Sequence, residues 1–184
     1  MKNFIVIFLL FNSVIIMAQN HDSLPYYEIP EYQESYSANS VAARMIDGLG
    51  FRYYWATEGL RDEDLNYKVG ESSRTSSETI EHIYGLSKFI RNSVLINNKD
   101  TNTLELAFSE KRKQTLMNFK AVSDVLRNTE TAFKLEGTEV PFWNIINGPI
   151  SDALWHCGQV VMLRRASGNP FNAKVNVFKG KVND

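Results

Sequence analysis

Three polar side chains are grouped in one of the most apolar stretches of the sequence, GPISDALWHCGQVVMLRRASGNP at residues 148–170. Asp152, His156 and Gln159 follow one another there at spacings of four and three residues. Residues four apart share a face of an α-helix, with about 5–6 Å between their Cβ atoms. The Asp152 carboxylate and the His156 imidazole can therefore reach one point. Because an unpaired buried carboxylate costs several kcal/mol, we expect Asp152 to have a partner.

Three kinds of partner would satisfy Asp152, and the spacing leaves all three open. Asp152 can pair with protonated His156 or with an arginine, or it can stabilise the positive N-terminal end of its helix. Alternatively, Asp152 and His156 bind a metal ion. Catalytic zinc sites typically combine three protein ligands with one open position. The chain has three histidines, and His82, at the edge of a predicted helix, is the candidate third ligand.

The remaining reactive groups give a weaker signal. Cys157 is the only cysteine, so an internal disulfide is excluded. Adjacent helical residues point about 100° apart, so Cys157 and His156 form a poor catalytic dyad and we predict that Cys157 is a packing residue. Gln159 can orient a ligand or form a structural hydrogen bond. The sequence does not choose among further acid–base candidates, which are Glu78, Glu81 and Tyr84.

Apolar periodicity predicts four helices that would position these groups. They cover about residues 36–59, a segment starting at the capping box TSSE (Thr75 to Glu78), residues 109–127 and residues 149–167. Pro149 suits a first helical position and Gly168 suits a stop. The predicted VPFWNII turn precedes the fourth helix, and the tail is predicted to be extended around KVNVF.

The predicted core faces follow from the same periodicity. On the first helix they comprise Val41, Met45, Leu49 and Trp55; on the second, Ile80, Ile83, Leu86 or Ser87, Ile90 and Val94; on the third, Leu116, Phe119, Val122 and Leu126. The third helix's opening SEKRKQ is predicted to be solvated. Arg164 and Arg165, in the last turn of the fourth helix, would favour its dipole.

The N-terminal residues indicate a cleaved export signal rather than an uncleaved membrane anchor. Residues 1–18 combine Lys2, a short apolar run and Ala18, which is typical of a signal peptide. The run is shorter than the roughly 20 residues of a membrane span, so we expect no stable membrane anchor after cleavage. Residues 19–35 are predicted to be an extended strap. Cleavage after Ala18 would make His21 the third residue, where it either chelates copper or nickel or belongs to a mobile terminus. A formal charge of −1 gives no indication of nucleic-acid binding.

Two segments together carry a family resemblance. ATEGLRDEDLNYKVGESSRTSSETIEHIYGL and DALWHCGQVVMLRRASGNP resemble the DinB-like (YfiT-like) superfamily of bacterial four-helix-bundle proteins. The resemblance implies an all-α four-helix bundle over residues 36–170, followed by a C-terminal tail at residues 171–184. It maps one metal-binding histidine onto His82 and two ligands onto positions 152 and 156. Asp152 departs from the pattern, which commonly has histidine there.

The resemblance implies a divalent metal ion held by His82, Asp152 and His156. Zinc or nickel is the first expectation, and manganese or iron also accept this ligand set. We expect the ligand atoms to lie about 3–4 Å apart. The implied chemistry is hydrolysis or thiol transfer on an unknown small molecule, in a periplasmic or secreted protein that forms a homodimer. Two alternatives stay open: a non-catalytic metal- or ligand-binding bundle, and an interaction module whose Asp152 and His156 form a metal-free pair.

Overall fold

The computed structural model describes residues 24–34, 36–101, 103–128 and 139–184. The predicted signal peptide and His21 lie outside the described residues. The chain is mostly helical, which confirms the all-α class. The helices are α1 (Ala38–Thr57), α2 (Asp62–Leu65), α3 (Ser76–Val94), α4 (Phe108–Arg127), α5 (Phe142–Ile145) and α6 (Ser151–Ala166). A 3-10 turn (Ile96–Asn98) follows α3, and a π-helical turn (Ile146–Ile150) joins α5 to α6.

The starts of α1 and α3 are fixed by side-chain caps. The Ser37 hydroxyl accepts from the Ser40 amide at 3.1 Å. At α3, the Thr75 hydroxyl accepts from the Glu78 amide at 3.1 Å, and the Glu78 carboxylate accepts from the Thr75 amide at 2.8 Å. This reciprocal pair is the predicted capping box, and it satisfies amides that a helix start leaves without partners.

The long helices pack in a closed set: α1 and α3 each contact both α4 and α6. Asp47 bonds to Ser123 and the end residue Thr57 bonds to Arg112, so α1 and α4 are antiparallel. Ser87 bonds to Asn118, and the start of α3 is paired with the start of α4 through Glu81 and Lys111. These two helices therefore run in the same direction. The C-terminal ends of α1 and α6 meet where Arg164 bonds to the carbonyl of Ala56.

The predicted core faces are largely confirmed. All four predicted residues of the third helix are fully buried, as are Ile83, Ser87 and Ile90 of α3. The first-helix prediction is wrong for Val41 and Met45, which are 49% and 38% exposed. They lie on the first two turns of α1, where they line a surface groove with Trp143. Leu49 and Trp55 are buried as predicted.

The prediction that SEKRKQ is solvated is wrong for two cations. Arg112 is 8% exposed, and its guanidinium donates to the Thr57 hydroxyl at 3.0 Å and pairs with Glu58. Lys111 is paired with Glu81. Both bridge to a neighbouring helix, which periodicity within one helix cannot indicate.

The first and last segments of the described chain contact each other. Two short antiparallel strands, β1 (Val175–Asn176) and β2 (Lys181–Val182), form a hairpin. The predicted extended segment around KVNVF is therefore confirmed only at Val175–Asn176, since residues 177–180 form the turn of the hairpin. The Ile29 amide of the strap donates to the Gly180 carbonyl at 2.8 Å, and the Val182 amide donates to the Glu28 carboxylate at 3.1 Å. Within the described ranges, no helix is both long enough and apolar enough to cross a bilayer.

Candidate metal centre

The helix that carries Asp152 and His156 begins differently from the prediction. Pro149 is not a first helical residue but lies inside the π-helical turn that leads into α6. Proline has no amide hydrogen to donate within a helix, and a widened turn accommodates it. The Ser151 hydroxyl donates to the Ile146 carbonyl at 2.7 Å. The predicted VPFWNII turn corresponds to α5 and the start of this turn.

The structure brings together the three residues that the sequence singles out. His82 Nε2 lies 3.0 Å from Asp152 Oδ2, and His156 Nε2 lies 3.3 Å from Asp152 Oδ1. One ligand atom from each residue can be chosen so that all three lie within 4.8 Å of one another. Two atoms set tetrahedrally, each about 2.1 Å from one zinc ion, lie about 3.4 Å apart. The group thus has dimensions that could hold a metal ion.

Gln159 determines which nitrogen of His156 faces the site. The His156 Nδ1 atom lies 2.7 Å from Gln159 Oε1. An amide oxygen only accepts, so Nδ1 carries a proton and Nε2, which has a lone pair in a singly protonated ring, faces Asp152. A lone pair opposite a carboxylate oxygen needs either a second proton on the ring or a cation between the two atoms. The donor set therefore fits a metal ion, because ligating histidines usually donate their other N–H to a fixed acceptor.

The three side chains differ in exposure, and this leaves one side of the group open to solvent. Asp152 and His82 are 41% and 37% exposed, whereas His156 is 13% exposed. The two imidazoles meet edge to face, with ring centroids 4.7 Å apart. Structural zinc sites are closed by four protein ligands, and catalytic sites keep an accessible position. With three candidate ligands and an exposed side, the His82 group would leave such a position accessible.

The other acid–base candidates on α3 are either held by structural contacts or buried. Glu78 is occupied by the helix cap, where the Thr75 hydrogen bonds hold the pKa of its carboxyl below the usual range. Glu81 is paired with Lys111. Tyr84 is 4% exposed and burial raises the pKa of its hydroxyl, which disfavours proton transfer near neutral pH. None of these contacts involves the His82 group.

Cys157 is a packing residue, as predicted. It is 2% exposed within the apolar core, and burial raises the pKa of its thiol to about 12. A thiol with such a pKa is almost wholly protonated near neutral pH, so it is a poor nucleophile and a poor metal ligand.

A second polar cluster, which sequence reasoning missed, joins α2 to the segment that follows α6. Asp64 of α2 has a fully buried side chain that accepts from Arg61, Ser167 and Asn169 at 2.6–3.0 Å. The Arg61 hydrogen bonds, with those of Ser167 and Asn169, hold the pKa of the Asp64 carboxyl well below its usual range. The predicted loop containing RDED thus hides a short helix that fixes the end of α6.

Arg164 has a different role from the predicted one. Its side chain is almost fully buried, and Nη1 donates to the carbonyls of Trp55, Ala56 and Glu58 at 2.9–3.1 Å. These carbonyls end α1, so Arg164 caps a neighbouring helix rather than its own. Its Nε donates to the Asn169 carbonyl at 2.7 Å. The only sequence signal was the arginine pair itself, of which Arg165 is exposed.

Comparison of the chain with protein-family models, with curated proteins and with solved structures finds no match. The functional conclusion therefore depends on the geometry of the site.

Proposed function

We propose that this protein is a DinB-like four-helix bundle in which His82, Asp152 and His156 hold a divalent metal ion. The observation that carries the proposal is the convergence of the three ligand atoms within 4.8 Å, with the Nδ1 atom of His156 placed against Gln159. The closed packing of α1, α3, α4 and α6 supports the bundle. A purely structural Asp152–His156 pair would need neither His82 in contact with the carboxylate nor an accessible face.

The residues of the site support metal-dependent hydrolysis or thiol transfer on a small molecule. A bound divalent metal would supply a Lewis acid that lowers the pKa of a water or a thiol. Asp152, which touches both histidines, would orient them toward one point. The two imidazoles favour zinc or nickel, which are proposed first, and the carboxylate makes the ligand set harder than three imidazoles, so manganese or iron also fit it. The exposed side of the group would admit the substrate.

Elemental analysis of protein purified without chelators or affinity-tag metal tests the proposal directly. We expect about one equivalent of divalent metal per chain and loss of that metal in His156→Ala, with the helical circular dichroism retained. His21→Ala removes the chain's third histidine, a candidate copper or nickel chelator at the mature terminus, and should keep the metal of the His82 group; loss of metal in His21→Ala alone would assign the metal to the terminus. Metal absent from the wild type, or retained in His156→Ala, would contradict the proposal.

Turnover separates catalysis from binding. Metal-loaded protein is incubated with activated esters and with thiol acceptors, and product is measured beside binding. We expect product formation that is lost in His156→Ala. Binding without conversion would instead assign the site to a non-catalytic binding protein.

Export and self-association complete the proposal. We propose that residues 1–18 direct the chain out of the cytoplasm and are cleaved, and that two copies associate. N-terminal sequencing of the mature protein and sedimentation of the purified protein test these two points.

A further inference from the structure

A second cavity lies on the opposite side of α6 from the metal centre. It has a volume of about 330 Å³ and lies between α1, α6 and the C-terminal segment. Small-molecule sites typically have volumes of about 300–1,000 Å³. Its walls are mainly apolar, with large side chains from all three elements, including Phe51, Trp55, Leu154, Val161, Phe171 and Val175. We call this cavity the α1–α6 pocket.

The α1–α6 pocket is separate from the metal centre. Leu154, Gly158, Val161 and Arg165 line it at spacings of four, three and four residues, which places them on one helical face. Asp152 and His156, the two candidate ligands on α6, are each offset from this series by two residues, or about 200° around the helix. The two sites therefore use opposite faces of α6.

The charged groups at the pocket are cationic. Arg52 and Arg165 line it, and none of the lining residues is acidic. Neither arginine forms an ion pair with the part of the chain that the structure describes: Arg52 donates to the Gly48 carbonyl at 2.9 Å, and Arg165 lies over the Phe171 ring. Guanidinium groups match carboxylates in geometry and charge. The pocket thus offers a cationic group beside an apolar cavity.

Gly158 gives the pocket its free space. A Cβ atom placed on this residue would meet no atom within 4 Å. A glycine inside a helix lowers helix stability relative to other residues, and here it leaves the backbone of α6 accessible from the cavity. A ligand can therefore lie directly against the helix.

We propose that the α1–α6 pocket binds a small amphipathic carboxylate, with its apolar chain in the cavity and its head group at Arg52 and Arg165. Charge complementarity selects the anion, and the apolar lining selects the chain. The proposal does not depend on the metal centre, because the two sites share no residue.

Isothermal titration calorimetry with decanoate, and with decanol as the uncharged analogue, tests the proposal on the full mature chain. We expect saturable binding of one decanoate per chain, equal in zinc-loaded and chelator-treated protein. Gly158→Leu fills the free space and should weaken decanoate binding at least tenfold. Gly85→Leu is the matched control, because Gly85 is also an exposed helical glycine with open space above it.

The arginines are tested by the charge of the ligand. Arg52→Gln combined with Arg165→Gln should weaken decanoate about tenfold and leave decanol unchanged, since only the charged head is affected. Arg74→Gln, at an exposed loop arginine, should change neither ligand. Absence of saturable decanoate binding, or equal affinity in Gly158→Leu and wild type, would overturn the proposal. So would an unchanged affinity for decanoate in the double variant.

Discussion

Gln159 is the side chain that fixes which nitrogen of His156 faces Asp152 and would meet a bound metal. Replacing it with alanine removes the acceptor of the Nδ1 proton, so the ring loses both its orientation and its preferred tautomer. We expect Gln159→Ala to weaken metal binding by about 10–100-fold, with little change in thermal stability. Competition with a chromophoric chelator measures the affinity.

A matched glutamine elsewhere provides the control for this prediction. Gln114 of α4 also bonds to a side-chain oxygen, that of Glu110 at 2.9 Å, and Gln114→Ala should leave metal affinity unchanged. Gln159→Glu restores an acceptor and should recover most of the affinity. Equal affinities in Gln159→Ala and the wild type would show that the amide does not act on His156.

The buried Asp64 carboxylate should make the free energy of unfolding depend on pH. Its carboxyl has a lowered pKa in the folded protein, so it favours folding above the unfolded carboxyl pKa of about 3.9, and this contribution is lost as the pH falls toward the folded value. Asp64→Asn should lower the free energy of unfolding by about 3 kcal/mol at pH 7. The difference from wild type should shrink below about pH 4 in urea titrations. The exposed neighbour Asp62→Asn should show a much smaller loss at pH 7.

The sequence predicted the grouping at the candidate metal centre better than that of the Asp64 cluster. Asp152 and His156 share a helical face by local spacing, and with three histidines in the chain His82 could be named as their partner. Asp64, Arg164 and their partners come from separate segments with no shared periodicity. Only the tertiary fold brings those groups together.

The contact between the C-terminal ends of α1 and α6 depends on the buried guanidinium of Arg164. Arg164 satisfies carbonyls at the end of α1 that no amide of that helix can reach. Arg164→Met would leave these carbonyls without the guanidinium, and we expect a loss of about 3 kcal/mol in the free energy of unfolding. Chemical denaturation measures it. Arg165→Met, one residue on and exposed, should cost under about 1 kcal/mol, and equal losses would contradict this role.

The four long helices were predicted to within a few residues, and the difference at the start of α6 has a physical cause. Caps and apolar stripes are local signals, and they located α1, α3 and α4. At Pro149 the sequence indicated a helix start, but α5, the π-helical turn and α6 form one consecutive helical run. The sequence cannot distinguish a proline at the first helical position from a proline in a widened turn, because neither position requires the amide hydrogen that proline lacks.

A long connection between α3 and α4 allows these two helices to run in the same direction. Since α3 and α4 run in the same direction, residues 95–107 must return along the length of α3. That helix is about 28 Å long, and a connection of this size can extend to about 40 Å. The parallel pairing is thus within reach of the chain, although nothing in the helix periodicity indicates it.

The strap packs against α1 and also bonds to the C-terminal hairpin. Tyr26 is 5% exposed beside Gly50 of α1, and a Cβ atom at Gly50 would lie 2.5 Å from its ring. The strap in turn holds the hairpin through Ile29 and Val182, and the hairpin supplies one wall of the α1–α6 pocket. The position of Tyr26 therefore affects the α1–α6 pocket through the strap and the hairpin.

Gly50→Ala tests this linkage, with Gly48→Ala as its control on the same helix. The added methyl at Gly50 must displace the Tyr26 ring, and we expect a loss of about 1–3 kcal/mol in the free energy of unfolding. At Gly48 the added Cβ meets only the end of the Arg52 side chain, at 3.4 Å, so the higher helix propensity of alanine should stabilise the protein by up to about 1 kcal/mol. Hydrogen exchange should show faster exchange of the Ile29 and Val182 amides in Gly50→Ala alone. Unchanged protection of both amides in Gly50→Ala would mean that the strap and the hairpin do not depend on Tyr26 for their position.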